Sequence, residues 1–268
     1  MNLLWAAHVV HHQSEDYNLA VALRQSITTG WSAVPFYLPL AMLGVPPLVF
    51  AITHALSTLY QFWIHTELVR KIRGPVAWIL NLPEHHRVHH AVNPQYLDKN
   101  YGATLIVWDR LFGTYAEEIE PCVYGITKPL RSFNPLWAQL HYFVELAGRT
   151  VRLRGVDRAR VWLASPAWVA KGEEKYVADL AARVKYDVSP PPPVKRYVVA
   201  QYILLLAATS ALMFTHGALR PAQLAVACAA LAGGLVALGG LLESKPWARP
   251  LEGARLAATV LAVALVVF

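Results

Sequence analysis

The hydrophobic residues of this chain are gathered into long runs that carry no charge. The first, WSAVPFYLPLAMLGVPPLVFAITHALSTLYQFWIH, covers residues 31–65 and is broken by Pro46 and Pro47 after Gly44. A helix of about 20 apolar residues crosses a bilayer, and consecutive prolines after a glycine end a helix. We therefore predict a membrane hairpin over about 30–66, with both of its ends on the same side of the membrane.

Three further apolar runs occupy the C-terminal part, beginning YVVAQYILLL, AQLAVACAAL and LAATVLAVAL. Between them and the hairpin lies a polar, basic and proline-punctuated segment that contains VRLRGVDRAR and SPPPPVKR. Lys and Arg concentrate on the cytoplasmic side of membrane proteins. The pattern predicts three parts: a histidine-rich domain over 1–145, an exposed basic cytosolic connector over 146–196, and C-terminal transmembrane helices over 197–268.

The composition favours a membrane protein over a soluble one. Of the 268 residues, 56% are hydrophobic and 15% charged, and the mean hydropathy is +0.35, whereas soluble domains carry about 25% charged residues. The net charge of +7 fits a basic face beside anionic lipid headgroups better than nucleic-acid binding. We predict an all-α integral membrane protein that does not bind nucleic acid, with its histidine-rich site on the cytoplasmic face.

Two identical histidine triplets with the spacing H-x-x-H-H precede and follow the predicted hairpin. On a helix, residues i, i+3 and i+4 share one face, so each triplet can point at one centre. Neutral imidazole binds iron, copper, zinc and nickel, and this number of imidazoles exceeds the need of one tetrahedral ion. The spacing predicts a two-metal site in which iron suits oxidative chemistry, with zinc as an open alternative. The predicted ligands are His8, His11, His12, His86, His89 and His90.

Further residues are candidates for the same site. His65 ends the second helix of the hairpin and is a candidate ligand, and Gln61 lies one turn earlier. His85 is four residues before His89 and could replace His86 in a shifted register. Metal-bound histidines usually donate their other N–H to a carboxylate or carbonyl, so polar residues after each triplet are candidates for this support. They are Glu15, Asp16, Asn18, Asn93, Asp98, Asn100 and Asp109.

Three stretches of the chain resemble the fatty acid hydroxylase/sterol desaturase superfamily. They are HVVHHQSEDYNLAVALRQS, QFWIHTE and PEHHRVHHAVNPQYLDKNYGATLIVWDRLFGTY. SEDYN and ALRQS are most similar to the alkylglycerol monooxygenase branch. The resemblance covers about Asn2 to Tyr115 and fades in the C-terminal half.

The resemblance implies a membrane di-iron enzyme that uses O2 to hydroxylate or desaturate lipid C–H bonds. The second histidine box of the family then falls on the first triplet, the third box on the second triplet, and an intervening family histidine on His65. A first box, H-x(3–4)-H, is expected shortly before LWAAH, so the chain is expected to be truncated at its N-terminus and to lack two imidazoles.

We expect lipid C–H hydroxylation on fatty acyl or alkylglycerol ether chains. The animal branch implies tetrahydropterin as reductant, but no residue pattern indicates a pterin, flavin or haem site, so the electron donor stays open. A lipid or sterol desaturase on the same scaffold is one alternative. A non-catalytic membrane metal-binding remnant is the other.

Overall fold

Helices form nearly all the regular structure of the chain. The structure is a computed structural model that describes residues 1–174 and 176–267, with the backbone alone from 260 onward. Within these residues it contains no β-strand, and two isolated bridges pair Leu80 with Leu105 and Ala91 with Tyr124. The predicted all-α class is confirmed for this part of the chain.

Seven helices within residues 2–112 carry or flank the two histidine triplets. They are α1 (Asn2–His12), α2 (Leu19–Leu23), α3 (Thr29–Met42), α4 (Pro47–Trp63), α5 (Pro75–Ile79), α6 (Pro83–His90) and α7 (Val107–Phe112). The later helices are α8 (Pro135–Arg152), α9 (Asp157–Leu163), α10 (Pro192–Thr215), α11 (Pro221–Leu242) and α12 (Ala248–Val267). Short 3₁₀ turns cover Pro94–Tyr96 and His216–Ala218.

The predicted hairpin corresponds to α3 and α4. Gly44 has φ +77°, a conformation that glycine adopts without strain, and Pro46 and Pro47 start α4. The two helices have 14 and 17 residues, about 21 and 26 Å at 1.5 Å per residue, against a hydrocarbon core of about 30 Å. None of their residues is buried, so they form an exposed apolar hairpin shorter than two full spans.

One compact unit comprises Met1–Leu130 and His141–Lys185. Its largest apolar cluster contains Ala6, Leu146, Leu153, Val161 and Ala170. Most of the segment predicted as a connector therefore lies in this unit, and its first part is packed against α1 rather than exposed. The Asn2 side chain strengthens this contact by donating to the Val161 carbonyl at 2.8 Å.

The other unit comprises Arg131–Leu140 and the chain from Tyr186 onward. Two of its helical segments, Pro192–Ala218 and Pro221–Leu242, are long and apolar enough to cross a membrane. The third predicted span corresponds to α12, which begins earlier than expected and carries a buried ion pair between Glu252 and Arg255. Tyr197 of α10 donates to the same carboxylate at 2.5 Å, so a polar network joins α10 to α12.

Candidate metal centre

The ends of two helices bring the histidine triplets together. The first triplet forms the last two turns of α1, and the second lies on α6, which begins with Pro83 in its first turn. The His8 and His89 rings are 6.2 Å apart, and the His12 ring stacks on that of His90 at 4.3 Å. The two triplets therefore converge on one centre.

Four buried histidines form the first of two clusters, which we call the four-histidine cluster: His11, His65, His86 and His90. Their candidate ligand nitrogens lie within 4.8 Å of one another. The Nε2 atom of His65 is 3.1 Å from that of His11 and 3.0 Å from that of His86. His90 Nε2 is 3.2 Å from His86 Nε2, so the four rings point into one small space.

Three histidines form the neighbouring three-histidine cluster: His8, His12 and His89. The Nε2 atoms of His8 and His12 are 2.9 Å apart. His12 is buried, while His8 and His89 are half-buried. This cluster therefore offers fewer ligands and is more accessible than its neighbour.

Main-chain carbonyls fix the ring nitrogens of two histidines in the four-histidine cluster. His65 Nδ1 is 2.7 Å from the Gln61 carbonyl, and His11 Nδ1 is 3.1 Å from that of Val21 and 3.2 Å from that of Arg24. A carbonyl can only accept, so both Nδ1 atoms carry the hydrogen and both Nε2 atoms present lone pairs. Two lone pairs facing each other at 3.1 Å repel unless a cation lies beside them.

Protonation of a histidine does not supply this positive charge near neutral pH, because burial disfavours the charged imidazole. Burial above all, and then the neighbouring His8 and His65, lower the pKa of His11 to about 3. Burial and then His89 lower the pKa of His8 to about 4. Burial lowers the pKa of His89 to about 4 and those of His12, His86 and His90 well below the usual range. The imidazoles are therefore neutral, as metal ligation requires.

The spacing of the nitrogens fits a metal ion. Imidazole nitrogens bind first-row metals at about 2.1 Å, so two ligands at right angles around one ion lie about 3 Å apart. The Nε2–Nε2 distances of 2.9–3.2 Å match this value in both clusters. The described residues thus fit two neighbouring ions held by nitrogen, and this donor set suits iron or zinc.

The geometry selects one register for the second triplet. His86 points into the four-histidine cluster, whereas His85 Nδ1 accepts the Leu82 N–H at 3.2 Å and its ring lies beside Tyr115. His85 therefore caps the start of α6 on the side away from the clusters. Gln61 contacts His65 through its main-chain carbonyl, while its side chain donates to Ser57 at 3.3 Å.

The polar residues predicted to support the histidines lie around the clusters and have other partners. Asn18 caps α2, and Asp16 pairs with Lys185 at the surface. Glu15 lies 3.8 Å from Arg183. In the described contacts, the carbonyls of Val21, Arg24, Gln61 and Lys99 provide the histidine support that was expected from these side chains.

The polar residues after the second triplet shape the loop behind it. Asp109 accepts the N–H groups of Tyr101 and Gly102, both at 2.7 Å, and Asn100 donates to the His85 carbonyl at 3.0 Å. Asn93 bonds the chain at Pro121 and Val123, and Asp98 accepts from the Tyr101 hydroxyl. These bonds fix the loop whose Lys99 carbonyl is 3.3 Å from His89 Nδ1.

Sequence reasoning missed three residues that contact the histidines. Tyr17 is buried with its ring near His65 and His90, and the Trp5 ring is 5.1 Å from that of His12. Arg24 donates through Nε to the Val10 carbonyl at 2.8 Å and through Nη2 to Gln13 at 2.6 Å. Trp5 lies three residues before His8 and seven before His12 on α1. Helical spacing alone could therefore have predicted that its ring lies beside these histidines.

The remaining histidines lie outside both clusters. His54 is exposed on α4 beside Phe50, and His216 Nδ1 lies 2.8 Å from the Met213 carbonyl. His141 Nδ1 is 3.2 Å from the side chain of Gln13.

Comparison with known proteins gives the family. Residues 1–114, which carry both triplets and His65, match the family model described as Fatty acid hydroxylase. This part of the chain is therefore similar to the fatty acid hydroxylase family. The predicted resemblance is confirmed, and the oxidoreductase character of the family agrees with the histidine clusters.

Relatives extend the similarity beyond the family region. Alkylglycerol monooxygenase of Danio rerio is 40% identical over 258 residues, covering 94% of this chain and 57% of that protein. The Homo sapiens protein of the same name is 36% identical, covering 95% of this chain and 58% of its own length. Ornithine lipid hydroxylase OlsE of Rhizobium tropici is 29% identical over 119 residues, covering 44% of this chain and 36% of that protein.

These alignments revise the expected extent of the similarity and set its limits. The match to alkylglycerol monooxygenases runs through the C-terminal half, where the resemblance was expected to fade. The chain spans less than two thirds of the length of these curated relatives, at 57–58% for the Danio rerio and Homo sapiens proteins. No solved structure matches the chain.

Proposed function

We propose that this chain forms the metal centre of a membrane di-iron monooxygenase, which uses O2 to hydroxylate C–H bonds of fatty acyl or alkylglycerol ether lipids. The observation that carries the proposal is the pair of Nε2 lone pairs of His11 and His65, which face each other at 3.1 Å in a buried site. The family match and the names of the relatives favour iron over zinc because zinc has no redox chemistry.

Seven histidines would hold the two ions. The four-histidine cluster would hold one ion, and the three-histidine cluster would hold the other and leave room for further ligands. When bound, the iron pair supplies the capacity to activate O2 and oxidise an unactivated C–H bond. The carbonyls of Gln61, Val21, Arg24 and Lys99 hold the rings in the required orientation and keep Nε2 deprotonated.

Aromatic side chains limit the access of water to the site. Tyr17 covers His65 and His90, and Trp5 covers His8 and His12 on the other side. Excluding water protects reactive species from side reactions. An acyl or alkyl chain is chemically suited to such surroundings because it needs no polar partners.

An ether lipid would react at the carbon beside the ether oxygen. One oxygen atom of O2 enters the C–H bond, and the other leaves as water after two electrons and two protons are added. The product is a hemiacetal, which breaks to an aldehyde and a glycerol derivative. The relatives called alkylglycerol monooxygenase support this substrate class. The electron donor stays open, with a tetrahydropterin as the candidate from the animal branch.

We further infer a multi-pass protein with the metal centre facing the cytoplasm. The two long apolar segments after residue 191 support membrane integration. The exposed apolar surface of α3 and α4 supports a lipid contact for the hairpin, and the Lys/Arg-rich stretch that begins VRLRGVDRAR supports the cytoplasmic side.

Product formation in membranes tests the proposal. We expect O2-dependent release of aldehyde from alkylglycerols or hydroxylation of acyl lipids, lost in His89→Ala and retained in His216→Ala, because His216 lies outside both clusters. A double bond in place of a hydroxyl would identify a desaturase. Normal turnover and iron content in His89→Ala would refute the assignment of the metal centre.

A further inference from the structure

A stacked pair of tyrosines links the four-histidine cluster to the protein surface. The rings of Tyr17 and Tyr124 are 4.8 Å apart and nearly parallel, at 14°. Tyr17 is buried and its ring lies 5.7 Å from that of His65, at 26°, and 5.3 Å from that of His90. Tyr124 is half-buried, and its hydroxyl donates to the exposed Glu67 at 2.9 Å.

The two hydroxyl groups have different kinds of acceptor. A phenol that loses an electron becomes strongly acidic and releases its proton to any base within hydrogen-bonding distance. Tyr124 has the carboxylate of Glu67 as such a base. Tyr17 donates to the Ile64 carbonyl at 3.2 Å, which cannot take the proton. An oxidised pair would therefore settle as a neutral radical on Tyr124.

The surroundings hold this pair in place. The bridge between Ala91 and Tyr124 ties the second tyrosine to the residue that follows the second triplet. Arg183 donates to the carbonyls of Tyr124 and Ile126, both at 3.0 Å, and pairs with Glu15 two residues before Tyr17. Fixed, overlapping rings favour electron transfer, because its rate falls steeply with the gap between them.

We propose that Tyr17 and Tyr124 form a route for single electrons between the four-histidine cluster and the surface at Glu67. The inference rests on the proposed function, since a monooxygenase needs two electrons for each O2. In each step Tyr124 loses one electron, through Tyr17, to the oxidised metal centre and its proton to Glu67. A soluble one-electron donor of the reduced-pterin class, the candidate donor of the proposed function, then reduces the Tyr124 radical, which recovers the proton from Glu67.

A different tyrosine provides the matched comparison. Tyr101 lies beside His89 of the three-histidine cluster, and its hydroxyl donates to Asp98 at 3.0 Å. Its ring is edge-on to that of His89, at 71° and 6.0 Å. Tyr101 thus has a carboxylate partner and a histidine neighbour, but it lacks the parallel stack that marks the Tyr17–Tyr124 pair.

The test is electron paramagnetic resonance of the iron-loaded, reduced full-length protein after rapid mixing with O2 in the absence of lipid. We expect a tyrosyl radical in the wild type and in Tyr101→Phe, and its loss in Tyr124→Phe. Glu67→Gln should lower the radical yield while the hydroxyl contact is preserved. Mass spectrometry should find oxidation products at Tyr124, and iron content should be unchanged in all three variants.

The outcomes separate this route from the proposed function. A radical that persists in Tyr124→Phe, or that disappears in Tyr101→Phe, would overturn the route. An iron-loaded protein that forms lipid product without any Tyr124 radical or oxidation would also overturn it, with the proposed function intact. A wild-type protein that binds no iron would contradict both.

Discussion

The two histidine clusters use the same side chain in two different environments. The four-histidine cluster is buried at every residue, whereas His8 and His89 of the three-histidine cluster are half-buried. In the former, two rings are oriented by carbonyls from outside the triplets; in the latter, the His89 ring is oriented by the Lys99 carbonyl. Identical H-x-x-H-H sequences therefore do not give equivalent metal sites, because the fold distributes each triplet between both clusters.

This distribution makes the effect of a substitution depend on the cluster and not on the triplet. His11 and His12 are adjacent in sequence, but they point into different clusters, and so do His89 and His90. The four-histidine cluster also depends on His65, which no triplet contains. Variants of single histidines can therefore separate the two sites.

The largest effect is expected for His65→Ala. This change removes one of four ligands and leaves His11 and His86 without the nitrogen that lies about 3 Å from both. Because loss of even an outer partner of a ligand costs about 10–100-fold in metal affinity, we expect a loss of at least that size and no detectable lipid oxidation. Iron analysis and product assay measure it.

The control for His65→Ala is His54→Ala. Both histidines lie on or directly after α4, but His54 is exposed and outside the clusters. Equal iron loss in the two variants would contradict the assignment of His65.

A selective effect is expected for His8→Ala. The three-histidine cluster would keep His12 and His89, which is too few ligands for tight binding. The four-histidine cluster loses nothing directly, so roughly half of the iron should remain bound. Mössbauer spectroscopy would then show the loss of one site; loss of both sites would show that the clusters are not separable.

A smaller loss of iron affinity, confined to the four-histidine cluster, is expected for Arg24→Gln. The Arg24 guanidinium donates hydrogen bonds to the Val10 carbonyl and to the Gln13 side chain. These bonds fix the loop whose carbonyls face His11. Loosening this loop should weaken the four-histidine cluster by about tenfold, as for other outer-shell changes, and leave the three-histidine cluster unaltered. Chelator competition measures the two ions separately, with the exposed Arg73→Gln as control.

The smallest effect is expected for His85→Ala. His85 lies next to His86 but accepts the Leu82 N–H outside the clusters. Losing this bond leaves a buried donor, so we expect a free energy of unfolding lower by about 1–2 kcal/mol and unchanged iron. Thermal unfolding and iron content measure both, and iron loss comparable to that of His86→Ala would contradict the register.

Much of the site was accessible from sequence because helical spacing is local. The interval i, i+3, i+4 places His86, His89 and His90 on one side of α6, and the predicted hairpin explains why His65 approaches them. The partners of Nδ1 could not be predicted, because they are main-chain carbonyls and every residue has one. Tyr17 was missed because a single tyrosine in SEDYN has no periodic partner, and its contacts arise from chain reversal after α1.

The sequence was sufficient to predict the all-α class of the fold, but it was a weaker guide to helix lengths and to the packing of the core. Long apolar runs indicated α10 and α11, and both pass as candidate spans. The exact ends of α3 and α4 could not be read from hydrophobicity, because the apolar run continues through the turn at Gly44 and α3 continues through Pro35 and Pro39. Likewise, the basic residues after 146 concealed Leu146, Leu153 and Val161, which form a core with Ala6.

Iron stoichiometry and Mössbauer spectroscopy of the purified full-length protein determine whether each chain holds two different metal sites. We expect two ions per chain in equal amounts and in inequivalent nitrogen-rich environments, matching the four-histidine and three-histidine clusters. A single bound ion, or two ions that remain bound in both His65→Ala and His8→Ala, would contradict it.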